Sequence, residues 1–266
     1  MSPYREDVPV AWINLDGAVN VRDLSALPTG DGQSTAAHRL LRGDNLQDLS
    51  PSDVKLLVQD IGVTTVVDLR SPAEVESEGP GPLTRVESVR HAYLSVLPER
   101  GSATDAAADA LAMRRDGAHS RYPDDVRAGY YLGYLEDRPD HVVAALRSIA
   151  EAPGAALVHC AAGKDRTGVV VALALSAVGV RRDAVVADYT ATAERMHAVL
   201  GRLRASTTYA TDIDKAPDDD HIPRAETMTA FLDEVDGRYG GVLRWLSEHG
   251  FGAGDVASLR VKMLAA

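Results

Sequence analysis

"AALVHCAAGKDRTGVVVALALSAVG", residues 155–179, reads as three pieces in immediate succession. "AALVH" (155–159) is an apolar run of strand length, "CAAGKDR" (160–166) is a short loop, and "TGVVVALALSAVG" (167–179) is a helix that is apolar on nearly every side. A helix without a polar face belongs at the centre of a domain, and a buried strand feeding directly into it points to an α/β sheet. The neighbouring segments repeat the alternation. "SPSDVKLLVQDIG" (50–62) has Ser50 as N-cap, Pro51 at the first helical position, Asp53 in the first turn and Gly62 as terminator, so it predicts a helix. "VTTVVDLR" (63–70) is then a β-branched strand whose polar end, Asp68 and Arg70, emerges at its C-terminal edge. After the turn "EGPGPL" (78–83), "VRHAYLSV" (89–96) predicts a further strand.

Helices are expected over 124–137 and 140–152, separated by Pro139, and as one long element over "DAVVADYTATAERMHAVLGRL" (183–203) with Asp183 as N-cap. An acidic break, "TDIDKAPDDDHIP" (211–223), precedes helices near 224–239, 241–248 and 255–264. Residues 99–121 carry no firm apolar stripe and read as a mobile loop or weak helix. No internal repeat is evident, and the 266 residues are read as one domain.

Composition narrows the function classes. Hydrophobic residues at 45% and charged residues at 25% are ordinary globular values, but two Phe and two Trp leave the core to Ala, Val and Leu. A net charge of -11 argues against nucleic acid, whose phosphates are bound by Lys and Arg, and against stable association with an anionic membrane. A single cysteine excludes an intramolecular disulfide and any CxxC motif, which fits a reducing, cytoplasmic setting. The N-terminal stretch has no apolar signal region and no segment is long enough to span a membrane.

That single cysteine, Cys160, stands between the strand and the helix. A lone cysteine is commonly a small buried hydrophobe, so its neighbours must decide. A loop between a strand and a helix start directs several backbone N–H groups into one concavity, where the helix terminus adds positive potential; an anion belongs there. The nucleotide-binding G-x-x-x-x-G-K-[ST] loop is excluded, because Val158 stands where its first glycine is required and Asp165 follows Lys164. The alternative spacing, C-x5-R, is met by Cys160 and Arg166 and defines the cysteine-dependent phosphatases. Five residues wrap a phosphate so that the thiolate lies beneath phosphorus and the guanidinium returns to grip two oxygens in a fork that lysine cannot reproduce. The N–H groups of such a loop also stabilise the thiolate. Thr167 can donate its hydroxyl to the sulfur, and Gly168 lets the helix begin close to the loop. His159 reads either as a brace for the loop or as a satisfied core histidine.

"HCAAGKDRTG" resembles the HC-x-x-GKDR-[TS]-G signature of the atypical bacterial tyrosine phosphatases. The similarity extends to "NVRDL" (20–24), "LLRGDNL" (40–46), "VVDLRSPAEVESEGPG" (66–81), "VVVALALSAVGVRRDAVVADY" (169–189) and "YGGVLRWLSEHG" (239–250). It implies a parallel-centred sheet flanked by helices, with helical lid elements for which 99–121 and 195–225 are the candidates. It also implies metal-independent, cofactor-free hydrolysis of phosphotyrosine, in some members also of phosphoserine, phosphothreonine or phosphoinositides. By position, Cys160 matches the nucleophile and Arg166 the phosphate arginine. Lys164 and Asp165 match the family's loop pair, and Ala161, Ala162, Gly163, Lys164 and Asp165 match the N–H cradle. The family often carries a proline-and-aspartate segment where this chain has "LSVLPERGS" (94–102), with Glu99 and no Asp.

The general acid is therefore open between Asp165, inside the loop, and Glu99, which would swing in from outside. Asp165 could instead orient Arg166 or cap the helix. Lys164 reads as a surface lysine or as a contact for a second phosphate. Arg22, Asp23, Asp68 and Arg70 are expected to form an ion-pair network that supports the loop. A small phosphorylated metabolite is the alternative substrate, and a phosphate-binding pseudoenzyme is disfavoured because both Cys160 and Arg166 are present.

Overall fold

The computed structural model describes residues 9–97 and 126–265. Its centre is a six-stranded sheet formed by β1 (Ala11–Trp12), β2 (Arg22–Asp23), β3 (Leu40–Gly43), β4 (Val63–Asp68), β5 (Arg90–Tyr93) and β6 (Ala155–His159). The spatial order is β1-β2-β3-β6-β4-β5. The last four strands in that order run parallel, and β1 and β2 add an antiparallel edge. β6 lies in the middle, and its final residue His159 stands level with Gly43 of β3 and Asp68 of β4. Cys160 thus leaves the sheet at the shared C-terminal edge, in the crevice where open α/β sheets bind ligands.

Burial on both faces explains why β6 is apolar throughout. Ala156 and Val158 point into one core layer, and Ala155 and Leu157 into the other, as the two-residue period of a strand requires. The first layer is filled by helices α3 (Val126–Asp137), α4 (Pro139–Ala150), α5 (Asp165–Ala177) and α6 (Arg182–Ala191), together with α9 (Ala225–Tyr239), α10 (Val242–Glu248) and α11 (Ala253–Met263). α5 is the helix expected without a polar face, and twelve of its thirteen residues are buried. The second layer is closed by α1 (Pro51–Lys55), which continues as a wider turn through Asp60, and by a 3-10 turn at Pro82–Arg85. Ser50 caps α1, and Gly62 ends this segment with a positive φ of 82°. Among the described residues no helix is long and apolar enough to cross a membrane.

The long helix expected over 183–203 is broken. α6 begins at Arg182 with Arg181 as N-cap, so Asp183 lies in the first turn rather than at the cap, and a 3-10 turn at Thr192–Arg195 leads into α7 (Met196–Ala205). The break has a tertiary cause. The Arg22 guanidinium reaches in and takes the Asp188 carbonyl at 2.7 Å, the acceptor that an unbroken helix would assign to the Thr192 N–H. The acidic segment contributes α8 (Ala210–Ile213) and a 3-10 turn at Asp218–His221. Residues 99–121, including Glu99, lie outside the described residues.

Candidate active site

Cys160, Ala161 and Arg166 through Thr167 are buried at the C-terminal edge of β6. The loop from Cys160 to Lys164 turns through Gly163, whose φ is +67°. A Cβ at that position would lie 2.5 Å from the Gly43 carbonyl oxygen, so the loop abuts the end of β3 and only glycine fits. α5 starts at Asp165, which aims the N-terminus of a thirteen-residue helix at the loop.

Arg166 is held by a residue that the sequence reading missed. Glu74, in the first turn of α2 (Pro72–Glu78), accepts from the two terminal nitrogens of Arg166 at 2.6 and 2.8 Å, and the Leu69 carbonyl accepts a further bond at 3.2 Å. Ser71 and Glu74 also form a reciprocal capping box. "SPAE" announces that cap in the sequence, but nothing local says that the same carboxylate continues to an arginine 92 residues away. Burial alone would raise the Glu74 carboxyl; Arg166 and Ser71 overcome this and hold it below its ordinary value. The guanidinium is thereby fixed in plane and direction.

Asp165 does not orient Arg166. Its Oδ1 accepts from the Tyr131 hydroxyl at 2.5 Å, Tyr131 is 2.7 Å from the Tyr189 hydroxyl, and its Oδ2 lies 3.2 Å from Lys164 Nζ. Burial would push this carboxyl up, but Lys164, Arg127 and the Tyr131 hydroxyl hold it below the ordinary carboxylate range. Lys164 is not a surface lysine. It is buried, and its ammonium also donates to the His221 carbonyl at 3.0 Å, bridging the loop to the Asp218–His221 turn. Ala161 and Ala162 pack beneath Met196, Val199, Leu200 and Leu203 of α7 and Tyr209 and Ile213 beside and within α8, so this segment covers the loop. Thr167 Oγ1 is buried with no hydrogen-bond partner among the described residues.

The supporting network is larger than expected and differently wired. Arg70 forks onto Asp68 at 2.5 to 3.0 Å, and His159 Nε2 stands 3.5 Å from the same carboxylate. Because Arg70 already neutralises Asp68, burial prevails and pushes His159 down to about 4, leaving a neutral imidazole. Arg22 pairs with Asp188 at 2.8 Å. Asp23 takes no part in this network; it points to the other side of β2 and accepts the His38 backbone N–H at 2.7 Å, because adjacent strand residues face opposite ways.

A buried cysteine, a glycine-turned loop, a helix N-terminus and a forked arginine occur here in the order that the motif requires. The model of the tyrosine phosphatase family matches residues 13–265. The chain belongs to this family. It is similar to the triple specificity protein phosphatase PtpB of Mycobacterium tuberculosis, with 29% identity over 94% of this chain and 98% of the relative. It is also similar to a tyrosine-protein phosphatase of Nostoc commune, with 26% identity over 97% of this chain and 90% of that protein. It is therefore an enzyme of the phosphatase class, and its parallel-centred α/β sheet is consistent with a tyrosine phosphatase fold.

Proposed function

We propose that this phosphatase hydrolyses phosphate monoesters through a phosphocysteine intermediate, with phosphotyrosine or related phosphoprotein or phosphoinositide groups as substrate. The observation that carries this reading is the position of Cys160 at the end of the central strand, with Arg166 locked by Glu74 in the first turn of the following helix. In the first step the Cys160 thiolate attacks phosphorus, the P–O ester bond breaks, and the leaving oxygen takes a proton from the Asp165 carboxyl. In the second, water attacks the phosphocysteine and gives a proton to the Asp165 carboxylate, and the S–P bond breaks to restore the thiolate. Arg166, the loop N–H groups and the unpartnered Thr167 hydroxyl are suited to take the charge that develops on the phosphoryl oxygens and on sulfur.

Substrate reaches Cys160 once the α7–α8 segment moves from Ala161 and Ala162 and the bond between Lys164 and His221 opens. Lys164 would then be released toward the incoming phosphate. The name of the mycobacterial relative supports a breadth beyond phosphotyrosine.

Cys160→Ser tests the mechanism. Turnover of an aryl phosphate should fall at least about a thousandfold while vanadate still binds, because the loop and Arg166 remain. Rapid acid quench of the wild type should yield a chain carrying one phosphoryl group on Cys160. Turnover that survives the substitution refutes the covalent mechanism. Phosphotyrosyl and phosphoseryl peptides, a phosphoinositide and sugar or nucleoside monophosphates, assayed side by side, decide the substrate class.

A further inference from the structure

Each trans peptide points its carbonyl and the following N–H in opposite directions, and the described residues contain no cis bond. Three successive loop carbonyls are taken from outside the loop. Ala161 O accepts the Asn45 backbone N–H at 3.0 Å, Ala162 O accepts from Asn20 Nδ2 at 2.9 Å, and Gly163 O accepts from an Arg42 terminal nitrogen at 2.7 Å. The N–H groups of Ala162, Gly163 and Lys164 are consequently turned to the opposite side. None of the three donates a hydrogen bond to another described residue.

We propose that Asn20 and Arg42 are positioning residues of this enzyme: by holding the carbonyls of Ala162 and Gly163 they aim the Gly163 and Lys164 amides at the substrate phosphoryl group. This rests on reading Cys160 to Arg166 as the phosphate-binding loop.

Both residues are themselves clamped. Asp188 of α6 lies between two guanidiniums, 2.8 Å from Arg22 Nε and 2.5 Å from an Arg42 terminal nitrogen, and Arg22 also donates to Asn20 Oδ1 at 2.9 Å. Asn20 can therefore present only its amino group to the loop. Arg42 can reach Gly163 because glycine lets the loop rest against the end of β3. All four side chains are buried. Both guanidiniums lie behind the loop and share the Asp188 carboxylate. Burial would raise Asp188, but the two arginines hold it below its ordinary value, so the clamp stays ionised at neutral pH. A device that only stabilised the fold would have no need to choose the carbonyls whose partner amides are empty.

The test uses Asn20→Ala, which removes no charge and leaves the Arg22–Asp188–Arg42 pairs in place, together with Arg42→Lys, which keeps the charge but loses the fork. Three quantities are read on the full chain: kcat and KM for an aryl phosphate, vanadate inhibition, and the pH dependence of Cys160 alkylation. Both variants should lose kcat by about 10- to 100-fold, as loss of a partner that only orients a ligating group does elsewhere. Vanadate should bind more weakly in parallel, and the alkylation profile should move to higher pH, because amides that turn away no longer stabilise the thiolate. Asn20→Ala carries the result if Arg42→Lys does not fold. Normal kcat, vanadate affinity and alkylation profile in folded Asn20→Ala, with only a lower melting temperature, overturn the proposal. Absence of vanadate binding in the wild type would instead overturn the phosphate-loop reading on which it rests.

Discussion

At the scale of single residues, the state of Asp165 is set by what touches it. The buried carboxyl is held in its ionised form by Lys164 and Tyr131. It is therefore poised as a base and is a reluctant acid until a phosphate dianion enters the loop and opposes its charge. Asp165→Asn should consequently cost little with a good leaving group such as nitrophenolate and at least about a hundredfold with a poor alkoxide leaving group, the range of general acid catalysis. Because the folded carboxyl titrates below its ordinary value, the wild-type advantage with alkyl esters should grow as pH falls toward the acid range. A leaving-group series measured with both proteins decides this. Equal losses across the series would move the acid role away from Asp165.

At the scale of elements, α7, α8 and the Asp218–His221 turn are joined to the Cys160–Arg166 loop by packing and, among the described residues, by a hydrogen bond from Lys164. Met196, Val199, Leu200, Leu203, Tyr209 and Ile213 pack with Ala161 and Ala162, and Lys164 reaches the His221 carbonyl. Local opening of such a cover has its own free energy, smaller than that of global unfolding. Leu203→Ala removes buried contacts between the cover and the loop without changing a loop residue, and a Leu→Ala change at a buried site costs about 2–5 kcal/mol. Cys160 is the only thiol, so covalent labelling reports access to one atom. Alkylation by iodoacetamide should accelerate at least about tenfold in Leu203→Ala, the equivalent of about 1.4 kcal/mol. Inorganic phosphate should suppress the reaction in both proteins. Equal rates would show that this segment does not govern entry.

At the scale of the whole molecule, the sheet edge gathers many buried charges. Asp68, Glu74, Asp165 and Asp188 are all held below ordinary carboxylate values despite burial. The native state then binds fewer protons than the unfolded chain, so their stabilisation is complete above about pH 5 and is lost as pH falls through the folded values. His159 acts earlier. Its pKa drops from 6.5 to about 4 on folding, so the unfolded chain takes up a proton across that interval and stability declines by up to about 3 kcal/mol between those two pH values. Asp23 and Asp44, which burial pushes up, run in the opposite direction, so the comparison with a variant is needed to isolate the histidine. Urea midpoints should fall between pH 6.5 and 4 in the wild type, and His159→Gln should flatten that limb while keeping the steeper loss at lower pH. Parallel curves would mean that His159 is already charged in the native protein.

The order of elements from Ser50 to Asp68, the buried strand at 155–159, the apolar helix after it and the spacing of Cys160 and Arg166 were legible in the chain itself. Caps, periodicity and a five-residue spacing act between neighbours, and neighbours are what a sequence displays. Glu74 beneath Arg166, Asp188 between Arg22 and Arg42, and Asn20 on the Ala162 carbonyl were not legible, since each joins residues 92 to 166 positions apart. The break in the helix after Ala191 belongs with them, because an arginine from β2 takes a carbonyl that the local pattern would have kept for the helix. Local chemistry thus determined the loop and the spacing of Cys160 and Arg166 within it. The directions of its arginine, its carbonyls and its amides were decided only when distant strands and helices brought buried charges to one edge of the sheet, where low solvent exposure makes each partner indispensable.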